Sequence, residues 1–198
     1  MSSRDHILAA IAANRPPVTA LPDINFLTVV TQNHVEKFTE ILTTIGGKAI
    51  EVSNFDEIKA HIKQTTNAGS RVASTFSELS DCAGLLTNYP GSPHHLQDIE
   101  LAVIGAGLGV AENGAVWING DQLGQRVVPF ICQHLAVILK KEEIVATMHD
   151  AYEKIGDLNY GFSTFIAGPS KTADIEQSLV LGAHGARTMT VFILDTSV

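Results

Sequence analysis

Short apolar runs alternate with amphipathic stretches along this chain, and that alternation limits the folds open to it more than any other feature. Asn33-His-Val-Glu36 sets a short polar side chain three residues before a glutamate, as at a capped helix start. Val35, Phe38, Leu42 and Ile45 then recur at helical spacing until Gly46-Gly47 stops them. Lys48–Val52 reads as a short strand. The unit repeats: Asn54 precedes Glu57, Phe55, Ile58 and Ile62 form the buried stripe, and Arg71–Ser74 returns to strand. Strands and helices alternating at this length predict an α/β fold with a mainly parallel sheet.

Further along, Tyr89-Pro-Gly-Ser-Pro93 reads as a loop. Strands are predicted at 99–104, 115–118, 127–131 and 135–139. A helix is predicted over 142–155, with Ile144, Met148, Ala151 and Ile155 on one side and Gly156 at its end. The last unit is a strand at 162–167, the turn Gly168-Pro-Ser170, a helix at 173–181 and a strand at 188–194. Residues 3–14 place Ile7, Leu8 and Ile11 on one helical face before Pro16-Pro17, which marks 1–15 as a helical arm that docks on its own domain or on a neighbour. With 198 residues and no internal repeat or long linker, 1–198 reads as one domain.

Composition narrows the function classes. Hydrophobic residues make up 45% and charged residues 17%, too apolar and weakly charged for disorder. A net charge of −8 gives no basic footprint for nucleic acid or an anionic membrane surface. The N-terminal residues lack a signal-peptide run, and no stretch approaches the roughly 20 apolar residues of a membrane span. Cys82 and Cys132, about fifty residues apart and outside any CxxC pair, suit a reducing cytoplasm and are too few for an iron–sulfur cluster. A cytoplasmic protein is expected, with no metal or cofactor on this chain.

Two segments carry candidate chemistry. In Gly105-Ala-Gly-Leu-Gly-Val-Ala-Glu-Asn-Gly-Ala115, the glycines permit close approach, and Glu112 follows a buried strand, where open α/β sheets bind ligands. The same residues also suit tight turns, with Glu112 accepting backbone hydrogen bonds. In the second segment, the strand ending near Ile166 enters Gly168-Pro-Ser-Lys171 and then a predicted helix. Ser170 or Thr172 would cap that helix, and its free N–H groups beside Lys171 would hold a carboxylate or phosphate. Asp174 and Glu176 would complement its dipole. His184, between Ala183 and Gly185, is a candidate acid–base or hydrogen-bonding group, or a simple helix C-cap. His134 and Trp117 read as packing residues, and the adjacent His94 and His95 point opposite ways and do not make a joint metal site.

The run from Ala167 to Ala186, AGPSKTADIEQSLVLGAHGA, resembles the C-terminal signature of the LUD-domain lactate-utilisation family, of the type SGPS-(R/K)-TADIE…LVLGVHGP. Val110-Ala-Glu-Asn-Gly-Ala115 is similar to that family's AETGT element. Asn113 and Ala115 stand where the family has threonines, and Ala186 where it has proline. The resemblance implies a three-layer α/β fold of the NagB/RpiA/CoA-transferase type. It also implies a part in oxidising L-lactate to pyruvate beside partner subunits that carry the iron–sulfur clusters. The site expected from both readings joins Glu112 and His184 as reacting groups with Asn113, Gly114, Gly168, Ser170, Lys171, Thr172 and Asp174 around a small carboxylate or other anion. A rival resemblance links Ala111-Glu-Asn-Gly114 to the SENG element of class I CoA transferases, which would make Glu112 an acyl-accepting nucleophile. A third reading is a non-catalytic scaffold assembled through the N-terminal arm.

Overall fold

Six parallel strands organise the molecule. A computed structural model describes residues 2–20, 22–23, 33–87, 89–175 and 178–196. The first half runs α1 (Ser3–Ala13), α2 (His34–Thr44), β1 (Lys48–Val52), α3 (Phe55–Thr65), β2 (Arg71–Ser74), β3 (Gly84–Leu85), β4 (Ile99–Gly105) and β5 (Leu108–Val110). The second half runs β6 (Ala115–Asn119), α4 (Val128–Ile131), β7 (His134–Lys140), β8 (Ile144–Val145), α5 (Met148–Ile155), β9 (Ser163–Ala167), β10 (Lys171–Ile175), β11 (Ser178–Leu181) and β12 (Thr188–Leu194). The central sheet has the order β1-β12-β7-β4-β2-β3, with every neighbouring pair parallel. A second sheet, β8-β5-β6-β9, is mostly antiparallel, and β10-β11 form a separate antiparallel ribbon. The chain is thus α/β with a mainly parallel central sheet.

Local chemistry explains the helices. Asn33 accepts the Glu36 N–H and Asn54 accepts the Glu57 N–H, so α2 and α3 each start on a satisfied cap. Each then buries one stripe: Phe38 and Leu42 from α2, Ile58 and Ile62 from α3. Full burial of such side chains contributes roughly 1.5–3 kcal/mol each. Alternation along the strands sends Leu135, Val137 and Leu139 to the α2 side with Val191 and Ile193. Ala136 and Ile138 go to the α3 side with Phe192 and Leu194. The helix α1 buries none of its residues and leaves Ile7, Leu8 and Ile11 exposed.

Three predicted elements are replaced. Residues 127–131 form no strand; Pro129 lacks an N–H for a ladder but fits a first helical turn, and the one-turn helix α4 results. The helix predicted over 142–155 starts only at Met148. Ile144 and Val145 pair with β5 instead, and a reciprocal capping box between Thr147 and Asp150 sets the later start. The helix predicted over 173–181 is the ribbon of β10 and β11. Its ends are tied, the Gly182 N–H donating to the Ser170 carbonyl at 3.0 Å. A nine-residue helix would hold them roughly 13 Å apart, so the chain must double back. Glu176 lies outside the described residues.

Cys82 and Cys132 are both free. Burial pushes the Cys132 thiol up to about 12, which leaves it inert at neutral pH. Among the described residues, no helix is long and apolar enough to cross a membrane, and no group of three or more His, Cys, Asp or Glu is placed to hold a metal ion.

Candidate functional site

The two motif segments meet through backbone pairing. β6 and β9 run antiparallel with Ala115 opposite Ala167, so the turn before β6 and the turn after β9 leave the ladder at one end. Both turns then press on the end of α2. Gly114 has φ +68°, and a Cβ there would lie 3.0 Å from the Leu42 N. Gly168 has φ +71°, and its Cβ would lie 3.0 Å from the Ile45 carbonyl oxygen. Only glycine combines left-handed φ with such close backbone approach.

This meeting point differs from the position expected for Glu112. Ligands of open α/β sheets usually bind outside the C-terminal strand ends. Here the Ser170 N–H donates to the Ala186 carbonyl at 2.9 Å, two residues before Thr188 opens β12. A Cβ at Gly185 would sit 3.2 Å from the Ser170 Cβ, and one at Gly46 would sit 3.5 Å from the Lys171 Nζ. Gly46 itself precedes β1. The turns that carry Ser170, Lys171 and His184 therefore gather at the N-terminal edge of the central sheet.

Within that setting the side chains divide. Glu112 is exposed, and its Oε2 accepts the Met148 N–H at 2.9 Å, the first residue of α5. A carboxylate at a helix N-terminus is favourably placed against the partial positive charge there, so Glu112 ties the turn to α5. Asn113 turns its Oδ1 back to the Ala115 N–H at 3.0 Å and stabilises the turn. No hydrogen bond among the described residues joins Glu112 to Ser170 or His184. Lys171 is exposed and has no ion pair among the described residues, which leaves its charge available beside the Gly46 turn. His184 is exposed, Thr172 pairs with Val180, and Asp174 lies on β10. Because β10 replaces the predicted helix, the anion site built on that helix's free N–H groups does not exist. What stands at this edge instead is the Lys171 ammonium, the Ser170 and Thr172 hydroxyls and the turn amides not used in the ladder.

A cavity of ≈ 470 Å³ opens at the same sheet edge, under α3, and Gly46, Lys48, His61, His134 and Thr188 line it. His134, read from sequence as a packing residue, stands at its rim with Nδ1 2.7 Å from the Thr188 Oγ1. Its isolated position in the sequence carries no signal of this. Only the register, which sets His134 beside Thr188 across two parallel strands, brings the pair together.

Comparison with known proteins adds three findings. Residues 93–194 match the family model described as the LUD domain. Lactate utilization protein C of Oceanobacillus iheyensis is 33% identical over 92 residues, covering 43% of this chain and 40% of that protein. The namesake from Shouchella clausii is 30% identical over 112 residues, covering 52% and 49%. The matched stretch thus spans less than half the length of either relative. The crystal structure of a DUF162 family protein from Deinococcus radiodurans superposes with a TM-score of 0.63 at 16% identity, over 84% of this chain and 99% of that one, a likeness of fold.

Proposed function

The chain belongs to the LUD domain family, and from that premise we propose that it is a subunit of a lactate-utilisation system which binds a small carboxylate at the two motif turns. The relatives named lactate utilization protein C support the pathway. The observation that carries the site is the Ala115–Ala167 pairing, with Gly114 and Gly168 both packed on the end of α2. In this reading Lys171 attracts the carboxylate, and Ser170 and Thr172 donate to it. Glu112 or His184 orients the hydroxyl and accepts its proton. Oxidation of L-lactate to pyruvate removes the hydroxyl proton and the Cα hydrogen, in all two protons and two electrons, and iron–sulfur clusters held by separate partner subunits would supply the electron acceptor. The setting is the cytoplasm.

A thermal-shift screen with lactate, pyruvate and coenzyme A tests the binding reading. Stabilisation by lactate or pyruvate, lost in Lys171→Ala, supports it; an unchanged melting profile with all three contradicts it. Stabilisation by coenzyme A, with an acyl adduct on Glu112, would favour acyl transfer instead.

A second reading, assembly through the arm, is favoured by one feature: Ile7, Leu8 and Ile11 of α1 are 58%, 49% and 53% exposed on one short helix. Removing residues 1–15 should then abolish association with the partner subunits while lactate binding persists. Association that survives the truncation contradicts this role.

A further inference from the structure

The cavity under α3 has the build of a binding site in its own right. Its volume of ≈ 470 Å³ falls within the roughly 300–1,000 Å³ of small-molecule sites, and a three-carbon acid would leave most of it empty. Its walls are the N-terminal ends of β1, β4, β7 and β12 and the last turn of α3. Ile62, Leu101, Ala136 and Phe192 make an apolar floor, with the His61 ring edge-on to Phe192 at 5.3 Å.

The polar groups are unevenly distributed. At one end Lys48 has no ion pair among the described residues, and Thr190, its register partner on β12, stands on the same face. His61 lies across from them on α3. Burial first, and then the Lys48 charge, hold its imidazole below the ordinary value. The Lys48 ammonium thus faces an imidazole that is held toward its neutral form. At the other end Glu100 on β4 approaches the His134 Nε2 at 3.5 Å, and the His134 Nδ1 meets Thr188. The charged and titratable groups facing the cavity are therefore Lys48, His61, His134 and Glu100.

We propose that this cavity binds an organic monocarboxylate whose apolar body is larger than that of lactate, with its head between Lys48, Thr190 and His61 and its body on Leu101, Ala136 and Phe192. Glu100 repels an anion from the His134 end and so fixes the ligand's direction. The bound carboxylate favours the imidazolium of His61, so binding takes up a proton and tightens as pH falls.

Titration of the whole chain with hexanoate, hexanamide and hexylamine, followed by the His61 ring resonances in NMR, tests this. Hexanoate should bind at least about tenfold more tightly than hexanamide and raise the His61 pKa. Lys48→Gln, checked for an unchanged melting temperature, should weaken hexanoate about tenfold and leave hexanamide as it was. Thr190→Val supplies a second variant with the same expected direction. Equal affinity for acid and amide, tighter binding of the amine, or no hexanoate binding up to its solubility limit would each overturn the proposal.

Discussion

The two faces of the central sheet are made by the same strands but are covered differently. On one face, Leu135, Val137, Leu139, Val191 and Ile193 meet α2 and the second sheet in a continuous core. On the other, Ala136, Ile138, Phe192 and Leu194 meet α3 and Leu79, and a cavity opens beside Ile62 where that cover ends. The helices α2 and α3 are equal in length, so the contrast comes from the second sheet, which adds cover on the α2 face; on the other face the cavity opens at the N-terminal strand ends, where α3 stops.

The largest expected effect sharpens that contrast. Leu42→Ala, on the crowded face, should cost about 3–5 kcal/mol in urea denaturation, whereas Ile62→Ala, at the cavity wall, should cost about 2 kcal/mol because solvent reaches the space it leaves. Equal costs would contradict the difference in cover. Next in size, Gly114→Ala combines left-handed φ with a close approach to Leu42 and should cost about 2–3 kcal/mol. Gly69→Ala, with φ +91° and nothing within 4 Å, isolates the conformational cost at about 1 kcal/mol. If the two glycine variants cost the same, α2 is not seated on the turn as described.

A smaller effect concerns Glu112. Glu112→Ala removes the acceptor for the Met148 N–H and should lower stability by about 1 kcal/mol, with Glu112→Gln recovering most of it. A neutral result for both would free Glu112 from its structural role. The smallest effect is a pH dependence. His61 is held below its ordinary 6.5 in the folded chain, so the unfolded chain binds a proton more readily. Stability contributed by this group is present above 6.5, declines as pH falls through that value and levels off below the folded pKa. His61→Gln should flatten the difference in melting temperature over that interval; an unaltered slope would assign it elsewhere.

Much of the fold was legible because local signals and tertiary demands agree. Asn33 and Asn54 cap α2 and α3 as their spacing indicates, and the apolar runs at Lys48–Val52 and Thr188–Leu194 are strands of the core sheet. Where long-range ties decide, the sequence pattern misleads. Residues 173–181 have a helix-like spacing, yet the Ser170–Gly182 hydrogen bond closes the segment into a ribbon. Val127-Val-Pro-Phe-Ile131 has strand-forming residues, but Pro129 cannot serve in a ladder. For the site, the glycine-rich turns stood out from their residues alone. Their place at the N-terminal sheet edge did not, since it depends on the β6–β9 register and on how both turns seat against Ile45. His134, Thr188 and Lys48 are far apart in sequence and are gathered only by strand order.

An amide NMR titration of the isotope-labelled chain with L-lactate examines the proposed role of the turns most directly. Shifts concentrated at Gly114, Gly168, Ser170 and Gly185, and lost in Lys171→Ala, are the predicted result. Shifts centred instead on Gly105 and Gln122, at the C-terminal end of β4, or no shifts at any amide, would contradict it.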